Sequence, residues 1–171
     1  MTSVSDITEA VNTGVTVIQL IANHAGVQNQ TGQFANALPP GVEAAHLTGW
    51  VAKDPKPTRL WKQDSEWYEF LSVDWEFSVG IRWYYGGTTD GSNKFVDQVT
   101  VTLDVVYLPP DFTLDVTANF PGNGLMGSNG VAELGFNMVV QLNGFFGQLV
   151  SSRSNFDCVV RGDGSYRWDR G

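Results

Sequence analysis

One stretch of the chain combines basic and aromatic side chains at a spacing that suits ligand binding. Arg59, Trp61 and Lys62 are close together, and Pro55 and Pro57 just before them favour an exposed loop. An exposed Trp beside cations is suited to an anionic headgroup, an aromatic ligand or the apolar face of a sugar ring. The sequence leaves open the opposite interpretation, in which Trp61 folds over the end of a sheet and the cations around it are solvated.

The aromatic residues of the chain are concentrated around this stretch, with ten of them between positions 50 and 85. Some of them fall on the alternate positions of a predicted strand over 74–85 that face the core, and core packing accounts for these. The others are less easily explained by core packing, and the Tyr-Tyr pair followed by Gly86-Gly87 is expected at the tip of a hairpin, where binding residues often gather. The predicted ligand-binding residues are Arg59, Trp61, Lys62, Trp67, Tyr68, Tyr84 and Tyr85.

Two carboxylates in the same region are the nearest approach to a catalytic pair. Asp74 and Glu76 lie two residues apart on one face of the predicted strand, so their Cβ atoms are expected about 7 Å apart. Glycoside hydrolysis uses two carboxyl groups roughly 5–10 Å apart across a sugar-sized cleft. Such pairs are also common on solvated sheet faces, and no nucleophile-elbow motif accompanies this one. A non-enzymatic protein is therefore expected, with a carboxylate-pair glycosidase as the enzymatic alternative.

Metal and cofactor chemistry has little support in the sequence. His24 and His46 are far apart and Cys158 is the only cysteine, so neither a zinc site nor a disulfide framework is indicated. Asp90-Gly91-Ser92-Asn93 and Asp163-Gly164-Ser165 resemble calcium loops only in part, and hairpin turns select the same residues. We expect turns at both positions, no metal and no cofactor. His24 is expected in a turn, and His46 partly buried on a strand.

Composition limits the class of protein further. The chain has 171 residues, of which 42% are apolar, and its net charge at pH 7 is -8. This length is typical of one domain, expected over 1–171, and is enough to bury a core without a disulfide. The acidic balance argues against a nucleic-acid partner. Apolar runs are far shorter than a membrane-spanning helix needs and no signal segment follows Met1, so we expect a soluble protein, secreted or released without a visible leader.

Strand patterns must position these residues. Alternation with period two over 74–85 and 95–107 predicts a long hairpin. Further strands are predicted at 15–22, 46–52, about 66–72, 112–120, 131–142, 145–151, 156–161 and 165–168. Eight to ten strands joined by hairpin-sized loops predict an all-β fold, a single-domain antiparallel β-sandwich or jelly roll. Alternation alone does not distinguish a sandwich from a closed barrel.

The beginning of the chain and two polar stretches lack a clear strand pattern. Asp6 followed by Glu9 is a capping-box spacing, which predicts a short helix over 5–13. Long loops are predicted at 23–45 and 121–130, because both stretches are rich in turn residues; the first is also compatible with a ragged edge strand.

Three classes of function are compatible with this pattern. The first is a lectin-like, non-enzymatic cell-surface recognition protein whose aromatic-rich loops bind a glycan or a lipid headgroup, as in a cytolytic or insecticidal toxin component. The second is a membrane-inserting, pore-forming protein that detaches residues 5–22. The third is a structural or self-assembling β-protein. The sequence leaves open whether a homo-oligomer or a second protein component is required.

The second class has support from a resemblance over a small part of the chain. The apolar strand that ends in Asn23-His24-Ala25-Gly26, together with the aromatic-rich middle, resembles small cytolysins such as the actinoporins and aegerolysins. The resemblance implies a compact β-sandwich that acts at a membrane surface. It assigns a role to no individual residue.

Overall fold

The computed structural model of the chain is nearly all β-strand, which confirms the predicted fold class. It describes residues 9–53, 56–63, 74–144 and 147–171. The strands are β1 (Glu9–Val11), β2 (Val17–Asn23), β3 (Gly26–Thr31), β4 (Ala35–Ala37), β5 (Val51–Ala52), β6 (Thr58–Gln63), β7 (Trp75–Gly87), β8 (Phe95–Tyr107), β9 (Thr113–Asn119), β10 (Asn123–Met126), β11 (Ala132–Gly144), β12 (Gly147–Arg161) and β13 (Tyr166–Arg170). A 3-10 turn at Ala44–His46 lies between β4 and β5.

The described strands form two antiparallel sheets that pack together as a β-sandwich. In the eight-stranded sheet the order is β1-β10-β11-β9-β2-β3. The long strand β11 pairs with β10 near its start and with β9 further along, and it also pairs with β12, which in turn pairs with β13. In the five-stranded sheet the order is β4-β8-β7-β5, and β6 pairs with β7 beside β5. The hairpin of β7 and β8 that the sequence predicts is therefore the centre of the smaller sheet.

Strict alternation decides which side chains enter the core. On β7, Phe77, Val79, Ile81 and Trp83 are at most 2% exposed, while Arg82 between them is exposed. Successive residues of a strand point to opposite faces, so one face of β7 lies against the eight-stranded sheet and the other faces solvent. Each large side chain buried in this way contributes about 1.5–3 kcal/mol.

The predicted helix over 5–13 is wrong in the part that the structure describes. Glu9–Val11 is strand β1, which pairs with β10, and Val11 also exchanges two backbone hydrogen bonds with Leu38. Ala10 is fully buried between the sheets. A capping-box spacing is a local signal, and it is outweighed here because pairing satisfies the backbone while burying Ala10. In the described ranges no helix has the length and apolar character that crossing a bilayer requires.

Both predicted long loops contain strands. The 23–45 stretch includes β3 and β4, and the 121–130 stretch includes β10. Edge strands need few apolar residues, which is why the polar β3 gives a weak sequence signal. In β10, a Cβ on Gly124 would lie 2.9 Å from the Cβ of Ala37, so glycine allows a close approach rather than a turn.

Several other predicted boundaries also change. The strands predicted at 145–151 and 156–161 are parts of one strand, β12, and the strand predicted at 46–52 shrinks to the two residues of β5. His46 is exposed at the end of the 3-10 turn rather than partly buried on a strand. The strand predicted at about 66–72 lies outside the described residues.

Candidate functional site

The predicted basic and aromatic segment forms β6, and its inward-facing side chains are used in packing. Arg59 and Trp61 pair in register with buried residues of β7, so they face the eight-stranded sheet. Trp61 stacks on Phe77, with ring centroids 5.4 Å apart, and meets Phe156 of β12 edge-on at 5.7 Å. The half-buried indole therefore joins the two sheets at this edge.

Arg59 is engaged at the same edge. Its guanidinium carbon lies 5.2 Å from the ring centre of Phe156 and 5.1 Å from that of Trp168, and its Nη2 donates to the backbone oxygen of Trp168. Cation–π contacts of this kind contribute about 0.5–2 kcal/mol, depending on exposure. Although Arg59 remains exposed, its charged group is committed to holding β6 against β13. We call Arg59, Trp61, Phe77, Phe156 and Trp168 the seam.

The other predicted binding residues are not gathered around the seam. Lys62 faces outward, and its Nζ lies 3.8 Å from Oε2 of Glu76. Tyr85 is half-buried with its ring against the turn at Gly164, where an added Cβ would lie 2.9 Å from ring atoms. Trp67 and Tyr68 lie outside the described residues. Of the five described candidates, Tyr84 lines an open concavity.

That concavity is a groove on the outer face of the five-stranded sheet. Its volume is about 180 Å³, and it is lined by Ala52, Lys53, Arg82, Trp83, Tyr84, Gln98 and Thr100. We call it the Arg82 groove. Arg82 is paired with Thr100 across β7 and β8, and directly paired residues project to the same face of a sheet. The backbone N–H of Lys53 donates to the oxygen of Trp83 at 2.9 Å, which places Lys53 beside the same strand.

The groove holds one cation that no carboxylate of the described residues neutralises. Arg82 is exposed and makes no ion pair with any residue that the structure describes. Lys53 lies opposite the inward-facing Trp83, and its Nζ lies 5.8 Å from the ring centres of Trp83 and Tyr166, so its charge is on the other face of the sheet from Arg82. By contrast, Lys56, further along the face, donates to Thr102 at 2.9 Å and lies 3.9 Å from Asp104. The positive charge of the groove is therefore available to an anion.

A β-bulge shapes the groove. Gln98 has φ of +49°, a left-handed conformation that non-glycine residues rarely adopt, and the register of β8 shifts at this point against both neighbours. Gln98 lines the groove and directly follows the buried Asp97 in the chain. Burial raises the pKa of the Asp97 carboxyl, and its polar contacts with Gln98 oppose the rise only in part.

Among the polar and charged lining residues, sequence reasoning missed Lys53, Arg82, Gln98 and Thr100. Arg82 had a detectable signal, because it shares the outward parity of β7 with Tyr84. Gln98 and Thr100 had none, since the bulge that sets their register against β7 is not visible in the alternation.

The predicted catalytic pair and the two calcium-like loops have ordinary local partners. Glu76 faces Lys62 across the β6–β7 pair, and Asp74 is exposed just before β7. Asp90 Oδ1 accepts hydrogen bonds from the Ser92 hydroxyl at 2.7 Å and backbone at 2.9 Å, and the hydroxyl bond above all lowers the pKa of Asp90.

Asp163 makes the same two contacts with Ser165, so both loops form the predicted turns. Among the described residues no three metal-binding side chains cluster.

Comparison of the chain with protein-family models, with curated proteins and with solved structures gave no match. The Arg82 groove, its open guanidinium and the residues beside it therefore carry the functional evidence by themselves.

Proposed function

We propose that this protein is a non-enzymatic, lectin-like recognition module that binds a glycan or a lipid headgroup through an anionic group. The observation that carries this proposal is the exposed guanidinium of Arg82 in the groove, which no described carboxylate neutralises. A guanidinium binds a carboxylate, sulfate or phosphate through two parallel hydrogen bonds. The anion is therefore expected at Arg82.

The remaining lining residues suit the rest of such a ligand. Tyr84 is 38% exposed and offers an apolar ring face with a polar tip, which is how aromatic residues meet sugar rings. Gln98 and Thr100 supply an amide and a hydroxyl that both donate and accept hydrogen bonds. Because Arg82, Tyr84 and Thr100 stand on long paired strands, their relative positions are set before a ligand arrives.

The structure favours recognition by the intact domain over insertion of residues 5–22. Within that stretch β2 lies inside the eight-stranded sheet, hydrogen-bonded to β3 on one side and β9 on the other. Ile18, Leu20 and Ala22 are at most 3% exposed. Withdrawing β2 would break both ladders and expose these side chains, at a cost of several kcal/mol. A toxin component that uses this domain to select a target surface is compatible with the proposal.

Binding of defined probes to the full chain tests the proposal. The probes are sialyllactose and a sulfated disaccharide, with lactose as neutral control, and vesicles of phosphatidylcholine with and without phosphatidylserine. Titration calorimetry and vesicle co-sedimentation are expected to show binding of at least one anionic probe that Arg82→Gln weakens by about tenfold or more. Arg153→Gln, an exposed Arg on the outer face of the other sheet, is the matched control and should bind normally. Equal binding by both variants, or no binding of any anionic probe, would contradict the proposal.

A further inference from the structure

A second and larger cavity lies beside the Arg82 groove. Its volume is about 550 Å³, within the usual range of small-molecule sites. Its walls include Phe34, Leu38 and Val42 together with the polar side chains of Asn36, Glu43 and Asp97. We call it the Asp97 cavity. Most of its wall is apolar, and Phe34, which is 37% exposed, contributes an aromatic surface to it.

The two most buried polar side chains in this wall differ in how they are satisfied. Asn36 is 3% exposed, and both ends of its amide are used by Thr13: its Oδ1 accepts from the Thr13 N–H at 2.8 Å and its Nδ2 donates to the Thr13 hydroxyl at 3.0 Å. Asp97 is 7% exposed, and its carboxylate has no cation partner within ion-pair distance among the described residues. A carboxylate has about four acceptor positions, so Asp97 retains capacity for donors inside the cavity.

The cavity and the groove meet at one cross-strand pair. Asp97 is the β8 partner of Tyr84, and directly paired residues project to the same face. Gln98 lines the groove and Asp97, the residue before it, lines the cavity, so the two concavities adjoin at this point of β8. A ligand with its anionic group at Arg82 therefore has a carboxylate acceptor and an apolar wall next to it.

We infer that the ligand of the Arg82 groove is an acidic glycan, in which the anionic group binds Arg82 while sugar hydroxyls of the same or the adjoining ring donate to Asp97. Sugars combine an apolar ring face, suited to Phe34, with several hydroxyl donors, suited to a buried carboxylate. A simple phosphate or carboxylate anion would occupy the groove and leave the Asp97 cavity unused. This inference rests on the proposed function and specifies its ligand class.

Replacing Asp97 in the full chain tests the inference separately from the proposal. Asp97→Asn keeps the shape of the side chain but removes the charge and turns one acceptor into a donor. We expect it to weaken binding of acidic oligosaccharides by roughly tenfold to a hundredfold, as for a lost charge-assisted hydrogen bond. Asp104→Asn, an exposed carboxylate on the same strand, is the matched control and should leave binding unchanged. Phe34→Ala should also weaken acidic glycans, because it removes the ring face. Thermal unfolding of each variant shows whether it is folded.

The outcomes separate the two claims. Loss of binding in Arg82→Gln with unchanged binding in Asp97→Asn and Phe34→Ala would overturn the inference while leaving the proposed function intact. Binding to phosphatidylserine vesicles but to no acidic glycan would do the same and would assign the groove to a lipid headgroup. Unchanged binding in Arg82→Gln would overturn both.

Discussion

Two regions of this protein carry the same chemistry, a cation next to an aromatic ring, and put it to opposite uses. In the seam, Arg59 and Trp61 lie against Phe156, and Arg59 also covers Trp168. In the groove, Arg82 and Tyr84 stand on the outer face with no described carboxylate beside Arg82. The difference comes from the face of the sheet to which each side chain points. Arg59 pairs with buried Val79 and faces inward, whereas Arg82 lies between the buried Ile81 and Trp83 and therefore faces outward. A cation beside a ring is thus a packing element on one face of a strand and an open binding group on the other.

The largest expected effect is on the seam. Trp61→Ala removes a stack on Phe77 and an edge contact with Phe156, and we expect it to lower the free energy of unfolding by about 3 kcal/mol, since large aromatic truncations cost about 3–5 kcal/mol in a core. Urea denaturation followed by circular dichroism measures this. Leu60→Ala, on the adjacent and 61% exposed side chain, is the control and should change little. A stable Trp61→Ala would mean that the indole is free to bind a ligand after all.

Removing the seam cation is expected to cost less. Arg59→Gln loses contacts with two rings and a hydrogen bond to Trp168, which together are worth about 1–2 kcal/mol at this exposure. The corresponding groove variant, Arg82→Gln, has no such partners among the described residues and should stay within about 0.5 kcal/mol of the unmodified protein. If both variants lose the same stability in urea, the distinction between seam and groove is incorrect.

Cys158 reports on the seam through its reactivity. Burial raises the pKa of its thiol to about 12, although the charge of Arg59 opposes the rise. The folded protein therefore keeps the thiol protonated and shielded at pH 8, and a thiol reagent such as DTNB should label it only as fast as the seam opens. We expect Trp61→Ala to accelerate labelling and Arg82→Gln not to do so. Rapid labelling of the unmodified protein would show that the seam does not exclude solvent.

The same thiol gives a pH dependence of definite sign. Because the folded pKa lies above the ordinary value of 9.0, the thiolate is favoured in the unfolded chain. The contribution of the protonated Cys158 thiol to the free energy of unfolding is complete below pH 9, and it is lost as the pH rises from there toward about 12. Cys158→Ala should flatten this part of the stability curve, and an unchanged alkaline slope in that variant would assign the loss to other groups.

The smallest expected effect concerns Asp97. Its pKa is raised by burial, so the folded protein favours the protonated carboxyl, and its stability should increase as pH falls through the folded pKa. Asp97→Asn removes the cost of the buried charge, so it should be slightly more stable than the unmodified protein at pH 7 and not at pH 3. Urea titrations at the two pH values check this. If Asp97→Asn is instead less stable than the unmodified protein at pH 7, the polar contacts of the Asp97 carboxylate with Gln98 outweigh the free-energy cost of burying its charge.

Much of the fold is readable from the sequence because its main signal is local. The hairpin predicted at 74–85 and 95–107 is observed as Trp75–Gly87 and Phe95–Tyr107, since alternation over a dozen residues specifies a strand with one dry face. The short strands β1 and β10 were missed. They are held by partners distant in sequence, such as Leu125 opposite Glu9, and three or four residues carry too little pattern to reveal them.

Two features of the candidate site follow from alternation along β7 alone: Tyr84 lies near the turn of the hairpin, and Arg82 points to the same face as Tyr84. The other features depend on packing between segments that are distant in sequence. The tertiary structure turned Arg59 and Trp61 inward against β12 and β13, and it set Thr100 opposite Arg82 and Asp97 opposite Tyr84 through a bulge at Gln98. A cation remains accessible to a ligand only if neither the opposite sheet nor the neighbouring strand packs a group against it. That packing depends on the pairing of distant segments, which local residue patterns do not encode.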